Sequence, residues 1–268
     1  MARDKNLENR IVLVTGSSRG IGKEIAVVLG QAGAKVAICA RDRKELDIAI
    51  ADLRREKITC LSVLTDVEKA GSAKAVVGKV REAWGGLDIL VNNVGGLART
   101  GHFEDLDDKA WSDSFNLNLM PMVRFCREAL PLLKKSSHPR IINISSMVAS
   151  QPGAFNPHYS TFKAAVLNLT KNLSGAYAKD GILVNSISPG IIQTEGWDQY
   201  IKEKAKKEGI TAKHCREIEN LRASEIVPLK RLGTVREVAD LAAFLASDQA
   251  SFITGSNHRV DGGRVLSI

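Results

Sequence analysis

The chain has 268 residues, 44% of them hydrophobic and 25% charged, with 22 Gly and 7 Pro. These proportions exclude a disordered, collagen-like or disulfide-scaffold protein, and a chain of this length buries about three quarters of its unfolded surface. Lys and Arg number 38 against 30 Asp and Glu, a formal charge of +8, which is compatible with nucleic acid, an acidic protein partner or a phosphate-rich ligand. Cys39, Cys60, Cys126 and Cys215 lie far apart and form no CxxC pair. A zinc site and a disulfide framework are not expected, and a reducing compartment is. No apolar run approaches about 18 residues, and the charged opening MARDKNLENR lacks the apolar centre of a signal peptide. The expectation is a soluble, cytoplasmic protein with no membrane contact.

Short β-branched apolar runs fall at residues 11–15, 35–40, 59–64, 89–91, 141–144, 183–187 and 259–260. Between them apolar residues recur at helical spacing, as in Ile21, Ile25, Val28 and Leu29, and again in Ala164, Leu167, Leu169 and Leu173. Strands alternating with helices predict an α/β fold: about seven strands in a doubly wound parallel sheet, with helices on both faces. The near-continuous apolar strands fit burial on both sides. With no repeat or linker-like tract, residues 1–268 read as one domain. Only residues 192–227 break the rhythm, being polar and helix-prone with a KEKAKKE run at 202–208. Residues 195–227 read either as a lid over a substrate pocket or as a solvated helix pair. Trp197, Tyr200 and Ile201 require one face of it to pack.

The first strand runs into Thr15-Gly16-Ser17-Ser18-Arg19-Gly20-Ile21-Gly22 and at once into a helix. Glycines in this position permit a tight turn, close approach of backbone to a diphosphate, and close helix–strand packing, while the free amides of the helix start hold the anion. That context predicts a Rossmann-type dinucleotide site. The second strand ends VAICARDR, so Ala40 stands where an NAD-binding carboxylate would sit and Arg41 follows. Arg41 and Arg19 are cations suited to a 2′-phosphate, which favours NADP(H) over NAD(H). Asp42 argues the other way.

Three more stretches carry chemistry: Asn92-Asn93-Val94-Gly95, Ile144-Ser145-Ser146, and Tyr159 with Lys163. Tyr and Lys at i and i+4 share a helix face. A free phenol titrates near ~10, and a neighbouring ammonium lowers that value toward the range of proton exchange with an alcohol or ketone. Ser146 can hydrogen-bond the reacting oxygen. Cys39 and Cys126 read as small core residues. His158 reads as a packed side chain, with lining of the pocket as the alternative, and the other four histidines have no metal-like spacing, so no metal is expected.

With these residues in place the sequence resembles the short-chain dehydrogenase/reductase family over nearly its whole length. The resemblance rests on the TGxxxGIG loop, Asn92–Gly95, Ser146, Tyr159, Lys163, Pro189-Gly190 with Thr194, Asp66-Val67, Trp111 with Asn118, and the ITG and VDGG motifs near the end. It implies that Tyr159 is the general acid/base, that Lys163 holds the nicotinamide ribose and tunes Tyr159, that Ser146 orients the carbonyl, and that Asn118 joins a water relay behind Lys163. It further implies that Asp66 and Val67 contact adenine, Asn92 the adenosine ribose region, and Ile192 and Thr194 the carboxamide, with Gly16, Ser18, Arg19, Gly20, Ile21, Gly22, Gly95, Pro189 and Gly190 around the cofactor. Val94 departs from the family's usual Ala and is expected to crowd the cofactor floor. A homotetramer is implied as well, built on helices at 111–135 and 160–179 with the C-terminal segment. The nearest-looking branch is the 3-oxoacyl-(acyl-carrier-protein) reductase type, which makes an acyl carrier protein a possible partner. Gly175 and Asp180, where that branch tends to be basic, leave small ketones, sugars, steroids or aromatic diols open as substrates. A non-catalytic NADP-binding regulator and a nucleic-acid binder are the readings from other classes; intact Tyr159 and Lys163 speak against the first, and the lack of any nucleic-acid motif against the second.

Overall fold

The chain runs β1 (Ile11–Thr15), α1 (Gly20–Gln31), β2 (Lys35–Ala40), α2 (Arg43–Arg55), β3 (Cys60–Leu64), α3 (Ser72–Trp84) and β4 (Ile89–Asn92), then α4 (Asp108–Asn118), α5 (Met120–Leu133), β5 (Arg140–Ile144), α6 (Pro157–Tyr177) and β6 (Leu183–Pro189). It closes with β7 (Ile192–Gln193), α7 (Glu195–Glu208), α8 (Ala212–Ile226), β8 (Gly233–Thr234), α9 (Val235–Ala246) and β9 (Asn257–Val260). The structure is a computed structural model that describes residues 6–267; the first five residues of the charged opening stretch lie outside it.

Seven strands form one parallel sheet in the order β3-β2-β1-β4-β5-β6-β9. The strands alternate between two buried layers, as a period of two requires. Val12 and Val14 of β1, Val36 and Ile38 of β2, and Ile89 and Val91 of β4 face the layer of α1, α2 and α9. Leu13, Ala37, Cys39 and Leu90 face the layer of α3 and α5. The strand order reverses between β1 and β4, so the loops after these two strands diverge and leave a crevice at the sheet's carboxyl edge. Among the described residues no helix is long and apolar enough to cross a membrane.

Three features depart from the sequence expectation. A separate two-stranded pair, β7 with β8, was too short to register as apolar runs. The helix expected over 111–135 breaks at Leu119, whose backbone leaves helical geometry just before Pro121, a residue with no amide to continue the ladder. Lys204, read as part of a solvated basic face, is only 22% exposed and pairs with Glu219 at 3.0 Å, whereas Lys202, Lys206 and Lys207 are exposed. Helices α7 and α8 pack on each other through Ile201, Ala205 and Cys215, with Trp197 and Ile210 against them, a small core separate from the two that cover the sheet. That packing accounts for the Trp197 and Ile201 of the segment.

At the opposite end of the sheet, Arg10 and Arg140 are 9% and 6% exposed. Both turn to Asp248, at 2.7 Å and 3.6 Å, which His138 also approaches at 3.2 Å. Burial pulls the Arg140 guanidinium below its ordinary pKa. Burial also works to raise the Asp248 carboxyl, but the cations around it hold it below the usual carboxylate range. Asp248→Ala would leave two buried guanidinium groups without a counter-ion. Allowing for the exposure of the carboxylate itself, the expected loss is about 2 kcal/mol, or roughly 4–8 °C in Tm. Thermal unfolding reads it directly, and an unchanged Tm would contradict it.

Candidate active site

The loop after β1 is built so that its backbone approaches the crevice closely, with the Arg19 side chain exposed beside it. Gly16 and Gly20 have φ of +62° and +58°, a region that β-carbon crowding closes to most residues. Ser17 is fully buried; its hydroxyl donates to Val14 O at 2.7 Å and accepts from Cys39 N at 3.2 Å, pinning the loop to β1 and β2. From the far side of the switch, Asn93 Nδ2 donates to Thr15 O at 3.0 Å and Gly16 O at 2.9 Å. A β-carbon at Gly22 would lie 2.4 Å from Asn93 Nδ2 and 2.5 Å from Gly16 O. Gly22 therefore serves close packing of helix on loop and does not line the cleft. A β-carbon at Gly16 would meet Val94 Cγ2 at 2.8 Å, so the unusual Val94 presses on the loop and holds position 16 to glycine.

Helix α1 begins at Gly20 with no side-chain cap from Arg19. Gly20 and Ile21 border the crevice, and Gly20 N donates to Glu195 Oε2 at 2.9 Å. An open helix start of this kind attracts anions.

Two cavities run along the sheet's carboxyl edge. One, of about 630 Å³, is bounded by Ser18, Arg19, Arg41, Asp66 and Val67. The other, of about 370 Å³, is bounded by Gly20, Ile21, Ser146, Tyr159, Lys163, Pro189, Gly190, Ile192 and Thr194. Gly16, Arg19, Asn93 and Gly95 border both, so the two are ends of one elongated cleft. A dinucleotide needs such a cleft passing a bare helix start, with cations at one end, and these residues fit it.

Of the cations expected for a 2′-phosphate, Arg19 is 63% exposed and bonded to Glu45 at 2.9 Å, and Arg41 is 73% exposed and 3.5 Å from Glu68. Surface pairs of this kind contribute little and yield to a stronger anion. Asp42, whose carboxylate clouded the cofactor reading, is the cap of α2 and accepts from Glu45 N at 2.9 Å. Its oxygen is committed to the helix start.

Ser146 lies just past β5, and Tyr159 and Lys163 lie in the first two turns of α6. The Ser145 hydroxyl donates to Lys163 O at 2.8 Å, and Asn143 Nδ2 to Thr170 Oγ1 at 2.9 Å, which fixes α6 to the strand that carries the serine. Lys163 is 2% exposed. Its Nζ donates to Ile144 O at 3.0 Å and stands 5.7 Å from the centre of the Tyr159 ring. Burial lowers the Lys163 ammonium to about 8. The Tyr159 phenol is pushed above its ordinary value by burial, partly offset by a hydrogen bond from Ser146. The expectation of a lowered phenol therefore does not hold in the free protein, where desolvation outweighs an ammonium bonded elsewhere.

Other residues fall differently from expectation. Asn92 does not reach the cleft: it is 1% exposed inside the sheet, where its Nδ2 donates to Asn143 Oδ1 at 2.9 Å and lies 3.3 Å from Cys126 Sγ. The cleft-lining residue is its neighbour Asn93, because β4 ends at Asn92 and the next residue turns outward. Asn118 is fully buried; its Oδ1 accepts from Gly96 N at 2.9 Å and its Nδ2 donates to Gly96 O at 3.0 Å. A β-carbon at Gly95 would lie 2.7 Å from Lys163 Nζ and 3.0 Å from Asn118 Oδ1. The bare glycine thus lets both side chains converge on one point. His158 is 1% exposed against Trp111, outside the cleft. Burial raises the Cys39 and Cys126 thiols to about 12, as befits core residues. Sequence reasoning missed Glu45, Glu68 and Glu195, since nothing in the local sequence shows which distant cation or amide a surface carboxylate will meet.

The family model described as enoyl-(acyl carrier protein) reductase matches residues 16–264. The 3-oxoacyl-(acyl-carrier-protein) reductase FabG of Vibrio harveyi is 35% identical over 262 residues, 97% of this chain and 99% of that one. The chain belongs to the short-chain dehydrogenase/reductase family. As a member it is an oxidoreductase acting on carbonyl and alcohol groups. FabG of Escherichia coli K12 is 34% identical over 97% of the chain and 99% of its own length. Among solved structures, L-sorbose reductase from Gluconobacter frateurii, complexed with NADPH and L-sorbose, superposes with a TM-score of 0.93 at 33% identity and covers 99% of this chain and 100% of its own. A single-residue variant of actinorhodin polyketide ketoreductase with NADPH gives 0.89 at 30% identity, covering 100% of both chains.

Proposed function

We propose that this short-chain dehydrogenase/reductase transfers a hydride between NADP(H) and a ketone or secondary alcohol, with Tyr159 as the acid/base. The observation that carries the reading is the convergence of Ser146, Tyr159 and Lys163 at one end of a cleft whose other end presents Arg19 and Arg41, each held only by an exposed ion pair. Bound there, the cofactor would supply the hydride.

The protein's own groups do the rest. Ser146 Oγ and Tyr159 Oη hydrogen-bond the carbonyl oxygen and polarise it. Burial keeps Tyr159 protonated at neutral pH, which suits donation of its proton to the oxygen as negative charge develops there. The Lys163 ammonium then stabilises the phenolate left behind. Held down to about 8 by burial, it can pass a proton toward Tyr159, with Asn118 converging beside it on Gly95. Ile192 and Thr194 close the nicotinamide end. Asp66 and Val67 border the adenine end, with Asn93 in place of Asn92 at the turn between.

Cofactor choice rests on Arg41. Arg41→Asp is expected to weaken NADPH binding about tenfold or more, the scale of one charge-assisted phosphate contact, and to shift preference toward NADH. Titrations with both nucleotides measure it, and an unchanged preference would refute the assignment. The relatives favour a small keto sugar or an acyl thioester as substrate class. For assembly, the aromatic face of α4 and α6, where Phe115 packs on Phe162 at 5.5 Å, together with Phe103 in the turn before α4, which is 69% exposed, supports the tetramer that the family suggests.

A further inference from the structure

We infer that Glu195 is an internal anion that holds the diphosphate position of the free enzyme and latches the α7–α8 pair across the cleft until the cofactor displaces it. The inference rests on the reading of the cleft as a dinucleotide site.

The Glu195 carboxylate accepts from Gly20 N at 2.9 Å, a bond between residues 175 apart in sequence. Gly20 is the first residue of a twelve-residue helix that no side chain of its own caps. Glu195 and Gly196 border the same cavity as Tyr159 and Lys163, so the carboxylate stands inside the site. A charged oxygen on a bare helix start is what a phosphate would also be. The two cannot share one amide, and two anions at that point would repel.

Glu195 also opens α7. Thr194 caps that helix by accepting from Trp197 N at 3.2 Å, which fixes the backbone that carries Glu195 at its start. The helix pair behind it moves as a unit: its core of Ile201, Ala205 and Cys215 is separate from both cores of the sheet. Polar bonds knit the two helices to each other, Trp197 Nε1 to Asn220 Oδ1 at 3.1 Å, Arg216 to Asp198 at 2.6 Å, and Tyr200 Oη to Glu219 at 2.9 Å. A body with its own core, joined to the rest of the chain at β7 and at buried Val227 and held across the cleft by one carboxylate, can shift between those two joints when that carboxylate is displaced. Diphosphate binding at Gly20 therefore releases the pair.

The test compares wild type, Glu195→Gln and Glu195→Ala, using NADPH affinity and amide hydrogen exchange. Glu195→Ala is expected to bind NADPH about fivefold tighter, since the competent open state no longer competes with the latch, with Glu195→Gln in between. In the free Glu195→Ala protein the amides of 195–226 exchange faster than in wild type, while those of the sheet do not change. Inorganic pyrophosphate added to wild type produces the same faster exchange without any nucleotide. Unchanged or weaker NADPH affinity in Glu195→Ala, or unchanged exchange in 195–226, overturns the latch while leaving the dinucleotide site standing. Failure of wild type and variants alike to bind either NADPH or NADH overturns the dinucleotide reading itself, and the latch with it.

Discussion

Tyr159→Phe lowers kcat with NADPH and a ketone by about 10²- to 10⁴-fold, the range expected when a positioned general acid is removed. Affinity for NADPH and the thermal unfolding midpoint change little, because the ring remains and only the hydroxyl is lost. The size of the effect follows from the surroundings of Tyr159. Burial lifts its pKa, and the hydrogen bond from Ser146 offsets only part of that. The free enzyme therefore keeps the proton on Tyr159 across neutral pH, ready for a carbonyl oxygen. The Ser146 hydroxyl beside it is too weak an acid to take its place. Ser146→Ala should lose less, because it removes orientation and not the proton. Steady-state rates of the variant measure the effect, and turnover within a few-fold of wild type would remove Tyr159 from its role.

Lys163→Met is expected to abolish measurable turnover while leaving Tm equal to or above that of wild type. This separation of stability from activity is what a buried functional charge produces. Lys163 is almost wholly enclosed, and its ammonium donates to Ile144 O. Burial alone brings it down to about 8, whereas an unfolded lysine titrates near ~10.4. The sign follows: between those two values the unfolded chain holds a proton that the folded chain has released. The lysine's cost to stability is therefore full below about pH 8 and is relieved as pH rises toward the unfolded value. Methionine fills the same volume without that cost. Thermal unfolding of both proteins at pH 7 and again above pH 9 reads the difference, which should narrow at the higher pH. A variant markedly less stable than wild type at pH 7 would contradict this account of the site.

The strand pattern was legible because residues such as Val12, Leu13 and Val14 are buried on alternating faces of a sheet covered on both sides, and β-branched composition alone reports that environment. The glycine loop, Ser146, Tyr159 and Lys163 were legible because their spacing between strand and helix is set by local backbone geometry. What escaped detection depends on tertiary placement. The choice between Asn92 and Asn93 turns on where β4 ends, a matter of one residue that composition does not resolve. The two-residue strands β7 and β8 carry no periodicity. Lys204 looks like its exposed neighbours until α8 brings Glu219 against it. The carboxylates that meet Arg19, Arg41 and Gly20 come from 26, 27 and 175 residues away. Net charge, the loudest feature of the composition, has only its share at Arg19 and Arg41 assigned to the cleft. Pairs such as Lys23–Asp52 and Arg231–Glu237 cancel internally and add nothing to that excess.

The proposed activity is hydride exchange with a carbonyl group, with NADPH preferred over NADH. It is tested most directly by following the oxidation of NADPH and of NADH, side by side, across a panel of ketones that includes a keto sugar and a β-ketoacyl thioester. Turnover is expected with at least one carbonyl, with a kcat/KM for NADPH about tenfold or more above that for NADH. Equal or better use of NADH, or no oxidation of either nucleotide by the folded protein across the whole panel, would contradict it.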